Sequence, residues 1–337
     1  MIIRTILDLD HRSQKHLRLT LLLAASYHRF NAMNKSLTME AWIIGSVPPT
    51  LEGFLKDLGI TVKNMPISRL GDRIRTANKI PATEPDPTGR PLLLIDNDIL
   101  CTGSLDELQQ LSTGSIRAIE AAIMRVNDAQ WDEIENKLGL RPLVRYYRNL
   151  RDYPPCEGAT IFRKEHLLPA KRLYVNSGTL LIPPHLELRE TWESNVESIY
   201  LLFKDHPLSS GAVVACDQTG LAVTLGSLGS FEFLPIEYNY VPYGFILGLL
   251  PEEKIRLMHM LTNPAVIPPA GIKSYLQNYW QCKIFDSLEE MKTNCPQDEI
   301  SRRRMTAENI LSLAFSVIDA YGLEDLYEKC AKECGLA

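Results

Sequence analysis

The chain of 337 residues lacks any long hydrophobic run. Its longest apolar stretches, around Leu19–Ala25 and Val241–Leu250, fall well short of the roughly 20 residues that span a bilayer. Its first residues, Met1-Ile2-Ile3-Arg4, carry none of the charged region, apolar core and small-residue cleavage site of a signal peptide. Cysteine is sparse: the seven residues are scattered and odd in number, which argues against a disulfide framework. Cys330 and Cys334 share a helix face, but no third or fourth ligand lies near them in sequence, so a zinc site is not expected. Nor is there an excess of basic charge. With 36 basic and 41 acidic residues the net charge is −5, which excludes a general nucleic-acid binder that must release counterions from phosphates. Arg302-Arg303-Arg304 reads as a solvated face. Gly-X-Gly-X-X-Gly, Walker and Gly-X-Ser-X-Gly signatures are missing, and with them the usual marks of dinucleotide, P-loop and serine-hydrolase chemistry. These absences set the expectation of a soluble, reduced, cytoplasmic protein with no transmembrane segment and no nucleic-acid partner. Its oligomeric state is not legible.

What is present is an ordinary globular composition, 45% hydrophobic, long enough to bury a core and frame a pocket. Strand-like and helix-like segments alternate. Leu17–Ser26 reads as a buried strand, followed by a Ser26-Tyr27 loop, and Leu37–Ser46 reads as a second strand broken by Pro48-Pro49-Thr50. Thr50 caps a short amphipathic helix, Leu51–Leu58, ended by Gly59. Ile60–Met65 alternates as a third strand, Gly71–Lys79 is helical and halts before Pro81, and Pro91–Ile95 is a fourth strand. Ser115–Leu138 carries helical spacing, read as two helices interrupted near Asn127-Asp128. Arg172–Ile182 reads as extended, Leu186–Phe203 and Asp217–Leu225 as helices, Phe231–Tyr240 as extended, and Thr306–Cys334 as a pair of amphipathic helices. The pattern predicts an α/β fold, a mostly parallel sheet flanked by helices, with a helical C-terminal appendage. The boundaries expected are residues 1–285 for the catalytic domain, split near residue 105, and 286–337 for the appendage.

The most informative stretch is Leu92–Gly103, LLLIDNDILCTG, in which an aliphatic strand runs into Asp96-Asn97-Asp98. Two carboxylates one residue apart at a strand's C-terminal end can turn toward the crevice where open α/β sheets bind ligands. A hard divalent cation that bridges to a diphosphate is the guest such oxygens prefer. The same residues also populate plain turns after strands. Three further segments bear on the choice: Asn176-Ser177-Gly178 at an expected turn, Asp217-Gln218 at a helix start, and His259 ahead of a proline-containing loop. Tyr238, Tyr240, Tyr243, Tyr275, Tyr279 and Trp280 are either an acceptor-stacking cluster or core.

The order Asp96-Asn97-Asp98, Asn176-Ser177-Gly178, Asp217-Gln218, His259 resembles the nucleotide-sugar glycosyltransferases of the GT-A, Rossmann-type fold. The likeness is greatest to the retaining group that includes glycogenin and bacterial lipopolysaccharide galactosyltransferases, glycosyltransferase family eight. It covers roughly Leu17 to Trp280. The resemblance implies a UDP-sugar donor, an unidentified acceptor, and a Mn²⁺ or Mg²⁺ held by Asp96, Asp98 and His259. It implies donor contacts from Ser26, Tyr27, Lys79, Asp96, Asn97, Asn176, Ser177 and Gly178, and catalytic roles for Asp217 and Gln218. Two departures stand out. The family's Asp-Gln-Asp is here Asp217-Gln218-Thr219, and its His-X-X-Gly-X-X-Lys-Pro-Trp block is not intact, with Lys273 and Trp280 displaced. A catalytically degenerate nucleotide-sugar binder, and a haloacid-dehalogenase-type phosphohydrolase using Asp96, are the alternative readings.

Overall fold

The computed structural model describes residues 1–10, 14–112, 114–121, 126–146, 170–205, 216–241, 248, 250–260, 271–291 and 296–336. The chain opens with β1 (Ile2–Asp8), α1 (Gln14–Asn31), β2 (Thr38–Ile44), α2 (Pro49–Asp57) and β3 (Thr61–Asn64), then β4 (Leu92–Ile95) and β5 (Ile99–Cys101). The middle contains β6 (Ile116–Glu120), α3 (Asp128–Leu138), β7 (Val144–Tyr146), β8 (Ala170–Arg172), β9 (Val175–Ile182), α4 (Arg189–Phe203), α5 (Cys216–Leu228) and β10 (Phe231–Phe233). After β11 (Leu257–His259) come the helices α6 (Ile272–Trp280), α7 (Asp286–Met291), α8 (Gln297–Ala320) and α9 (Leu323–Glu333). The architecture is the expected α/β class, a mostly parallel sheet flanked by helices with helices at the C-terminal end.

Contacts divide the chain into two units. The first comprises Met1–Ile2, Pro66–Leu94 and Gln109–Pro235; the second comprises Ile3–Met65, Ile95–Leu108 and Ile236–Ala337. In the first unit the strand order is β10-β6-β9-β4. β10 pairs parallel with β6, and β6 pairs antiparallel with β9, with a register shift between Ala118 and Ile119. Within the second unit β1, β2 and β3 are neighbours in that order, and β11 forms a separate antiparallel pair with β5.

Several elements depart from the sequence reading for identifiable reasons. Leu17–Ser26 lies inside α1, not in a strand. Every residue from Leu17 to Tyr27 is buried, and a helix buried on all sides shows no clear 3.6-residue period to read. The Leu and Ala that fill it are strong helix formers with little β-branching. The first strand is instead Ile2–Asp8. Pro48-Pro49 starts α2 rather than breaking a strand: Pro49 occupies an N-terminal helical position where its missing N–H costs nothing, and Thr50 N donates to Glu333 Oε2 at 3.1 Å. Thr50 binds Glu333 of α9. Arg75–Thr83 is a 3-10 helix with Pro81 inside it. Ile116–Glu120 is a strand, and Asn127 does not interrupt a helix but begins one. Its side chain accepts from Gln130 N at 2.9 Å, and Gln130 Oε1 accepts in return from Asn127 N at 3.0 Å, a capping box. Arg303 is buried beside Glu299 instead of lying on a solvated face.

α4 and α5 pack so closely that a Cβ on Gly220 would stand 2.3 Å from Val196 Cγ2 and 3.1 Å from its backbone nitrogen. Helix propensity alone predicts that Gly220→Ala stabilises by up to about 1 kcal/mol. The steric conflict predicts the opposite sign, a loss of about 1–3 kcal/mol, measured as a lowered denaturant midpoint.

On adjacent strands of the second unit, Glu40 of β2 accepts from Arg4 Nε and Trp42 Nε1 at 2.8 and 2.9 Å and lies 2.8 Å from Lys63 Nζ. Burial pushes the Glu40 carboxyl upward, but hydrogen bonds from Lys63, Trp42 and Arg4 outweigh it and leave the group below its ordinary value. A depressed carboxylate contributes stability above its unfolded pKa and loses it as pH falls through the folded one. Glu40→Gln therefore lowers the melting temperature at pH 7, and the deficit relative to wild type shrinks as pH drops below about 4. A pH-independent deficit in calorimetry would contradict this.

Candidate metal centre and polar cluster

β4 is entirely buried and delivers the chain straight into Asp96-Asn97-Asp98. What then fixes Asp98 is the pairing of β5 with β11, which sets Ile99 opposite His259. His259 N donates to Tyr240 O at 2.9 Å, and Met260 N donates to Asp98 O at 2.8 Å, so one short strand holds both residues. His259 therefore closes a strand, Leu257–His259. Its Nε2 lies 3.1 Å from Asp98 Oδ1, and its Nδ1 lies 3.0 Å from Asn239 Oδ1. With the Asn239 carbonyl as acceptor, Nδ1 carries a proton and Nε2 is directed at the carboxylates.

Donor atoms of Asp96, Asp98 and His259 all lie within 4.8 Å of one another. Burial pushes the Asp98 carboxyl up, but the His259 ring beside it holds it well below the usual carboxylate range. Two carboxylates and an oriented imidazole are an oxygen-rich donor set that could hold a divalent cation. The neighbouring residues had no signal in sequence. The first turn of α1 closes on this loop: His16 Nδ1 lies 3.1 Å from the Asn97 side-chain amide, whose Nδ2 donates to Thr20 Oγ1 at 3.4 Å. Burial lowers the pKa of both Lys15 and His16, and in each case the charges of Asp96 and Asp98 oppose that shift.

A second polar cluster lies in the first unit. Asp217, in the first turn of α5, accepts from Ser177 Oγ of β9 at 2.8 Å. Lys79 Nζ stands 3.2 Å from Ser177 Oγ and 3.7 Å from Asp217 Oδ2, so Lys79 is an ion-paired, largely buried lysine. Trp192 Nε1 of α4 donates to the Asp217 carbonyl at 2.7 Å, tying the helix start in place. Asn176-Ser177-Gly178 is not a turn. All three residues lie within β9, where Gly178 N donates to Asn176 Oδ1 at 2.7 Å. Gln218 is half-buried next to Asp217, and Thr219 is fully buried.

No loop follows a strand at Ser26-Tyr27; both residues are buried in α1. Ser26 Oγ donates to Leu23 O at 3.0 Å and accepts from Cys101 N at 3.1 Å, which spends its hydroxyl on tying β5 to the helix. Burial raises the Tyr27 hydroxyl pKa. The aromatic residues Tyr238, Tyr240, Tyr275, Tyr279 and Trp280 are core, each at most 4% exposed, while Tyr243 and the proline-containing loop after Met260 lie outside the described residues. Among the described residues no helix is long and apolar enough to cross a membrane.

Solved structures similar to the chain include the galactosyltransferase LgtC with donor and acceptor sugar analogues, at 12% identity over 90% of this chain and 100% of that one, TM-score 0.49. The apo glycosyltransferase GlyE of Streptococcus pneumoniae TIGR4 is similar at 15% identity over 82% and 59%, TM-score 0.46. Mouse xyloside xylosyltransferase 1 is similar at 12% identity over 80% and 100%, TM-score 0.45. No curated protein matches the chain. The family described as the Rhodobacterales glycosyltransferase domain matches residues 15–229, more than half of the sequence and inclusive of Asp96, Asp98, Asn176 and Asp217. The chain belongs to that glycosyltransferase family.

Proposed function

We propose that this glycosyltransferase takes its sugar from a nucleoside-diphosphate donor, with UDP as the favoured carrier, at a metal centre formed by Asp96, Asp98 and His259. The observation that carries the reading is the convergence of two carboxylates and the His259 ring within 4.8 Å, at the end of an aliphatic strand. A Mn²⁺ or Mg²⁺ bound there supplies positive charge to the diphosphate leaving group. Asn239 orients His259, and Asn97, held by His16 and Thr20, keeps the loop between the ligands in one conformation.

The remaining roles are assigned by chemistry. Asp217, fixed by Ser177 and Lys79, accepts hydrogen bonds from donor-sugar hydroxyls, and Asn176 and Gly178 line the same sugar. Gln218 presents an amide oxygen to the positive charge that develops at the anomeric carbon. Transfer breaks the bond from that carbon to the leaving phosphate and forms one to an acceptor oxygen. The acceptor's proton passes to the phosphate, so no dedicated protein base is needed, and the expected outcome is retention. The acceptor-binding role falls to Gly103–Arg172 and the C-terminal helices, outside the metal ligands. The buried Thr219, standing where a second carboxylate is expected, favours one rival, a protein that holds the donor without turning it over.

Mn²⁺-dependent hydrolysis of UDP-sugars separates the two. Wild type is expected to turn over at least one donor, and Asp98→Ala to lose at least about 100-fold in rate with an unchanged circular dichroism spectrum. Asp217→Asn is expected to lower kcat/KM for the donor about 10- to 100-fold while leaving UDP affinity intact, since it meets the sugar and not the nucleotide. No turnover by wild type, with UDP bound normally, would favour the non-catalytic rival.

A further inference from the structure

The lysine that meets Ser177 and Asp217 sits on the 3-10 helix Arg75–Thr83, which has Pro81 inside it and no side-chain cap at its start. A helix of this kind, with poor hydrogen-bond geometry, anchors itself weakly, so its placement has to come from its surroundings in the first unit. Both flanks are tied to α4. Ahead of the helix, Arg69 reaches Glu197 at 2.9 Å and Glu193 at 3.5 Å; after it, Glu84 lies 3.3 Å from Arg189. α4 also holds the start of α5, through the bond from Trp192 Nε1 to the Asp217 carbonyl. One helix thus supports both partners of the Lys79–Asp217 pair.

Exposed ion pairs keep a loop near α4 but are too weak and too pliant to fix the rotation of a single turn. Asn78 supplies that restraint. It is buried, and its Oδ1 accepts from Ser68 N at 3.2 Å, while Ser68 Oγ accepts from Leu70 N at 3.1 Å and Ser68 O from Gly71 N at 2.8 Å. The Asn78 side chain is seated on Gly71. A Cβ at that glycine would stand 2.8 Å from Asn78 Cγ and 2.6 Å from Ile67 Cγ2, well inside ordinary carbon contact. In a 3-10 helix successive side chains diverge by about 120°. Seating Asn78 in the Ile67–Gly71 loop therefore dictates the direction of the next residue, Lys79, whose Nζ arrives 3.2 Å from Ser177 Oγ and 3.7 Å from Asp217 Oδ2.

We propose that Asn78, seated on Gly71, is a positioning residue for the donor-sugar cluster and acts through Lys79. This rests on the reading of Asp217 as the residue that meets the sugar hydroxyls. The side chain of Asn78 serves the reaction only by aiming the lysine, so its removal costs nothing further once the lysine is gone. A residue that merely supports the local fold would add its own cost in either background.

Two readouts test it on wild type, Gly71→Ala, Asn78→Ala, Lys79→Met and the two double variants with Lys79→Met. The first is reductive methylation of the folded protein, with the Lys79 peptide followed by mass spectrometry and exposed Lys56 as the reference. Gly71→Ala and Asn78→Ala are each expected to speed methylation of Lys79 at least about fivefold and to leave Lys56 unchanged. The second is Mn²⁺-dependent hydrolysis of UDP-glucose, UDP-galactose and UDP-N-acetylglucosamine. Each single variant is expected to lower kcat/KM for the donor at least about tenfold with the inhibition constant of UDP unchanged, and neither is expected to lower it further in the Lys79→Met background. Unchanged methylation of Lys79 in both variants, or losses that add in full to that of Lys79→Met, would overturn the Asn78 assignment and leave the donor-sugar reading standing. If wild type hydrolyses none of the three donors, or Lys79→Met and Asp217→Asn hydrolyse them as wild type does, the donor-sugar reading falls, and this inference with it.

Discussion

A carboxylate drawn out of water at the end of a buried strand has to be met by positive charge or lose its own, and that constraint organises the second unit. Asp98 is 17% exposed and His259 4% exposed at the side chain, and the 3.1 Å contact between them holds Asp98 ionised against the pull of burial. The contact is built into the backbone. β11 pairs with β5, Tyr240 O accepts from His259 N, and Asp98 O accepts from Met260 N, so the imidazole and the carboxylate cannot drift apart without breaking the strand pair. Asn239 fixes the other face of the ring. What results is a rigid donor set produced by a strand of three residues whose sequence looks unremarkable.

The polar cluster in the first unit obeys the same rule with different parts. Asp217 is 3% exposed and is met by the Ser177 hydroxyl and the Lys79 ammonium, while Trp192 holds the backbone at the start of α5. The close approach of α4 and α5 at Gly220 brings Trp192 near enough to do so. Every member of this cluster is neutralised or hydrogen-bonded, as a buried polar group that persists in a core must be.

Much of this was legible because the chemistry sits at ends of simple elements. LLLIDND reads as an aliphatic strand spilling into carboxylates, and it is one; β2, β3, α4, α5 and the paired C-terminal helices also lie where the sequence reading places such elements. The failures have physical causes. α1 is buried on all sides between Leu17 and Tyr27, so its run of Leu and Ala carries no clear period, and the loop expected at Ser26-Tyr27 does not exist. Asn176-Ser177-Gly178 has the composition of a turn, but β6 on one side imposes strand geometry on it. β6 was hidden by isoleucine and alanine positions that also fit a helix. His16 and Asn239 had no local signal, because each reaches the metal centre only through tertiary contacts: His16 is separated from Asn97 by 81 positions and Asn239 from His259 by 20.

The central claim is that Asp96, Asp98 and His259 hold one divalent cation together. Pulsed electron paramagnetic resonance of the Mn²⁺-loaded protein tests it most directly, because it reads a ligand's nitrogen without requiring turnover or knowledge of the acceptor. The account predicts one bound Mn²⁺ per chain with ¹⁴N modulation from a single imidazole, lost on His259→Ala while the loop carboxylates remain. A bound Mn²⁺ with no nitrogen coupling, or coupling unaffected by His259→Ala, would contradict it.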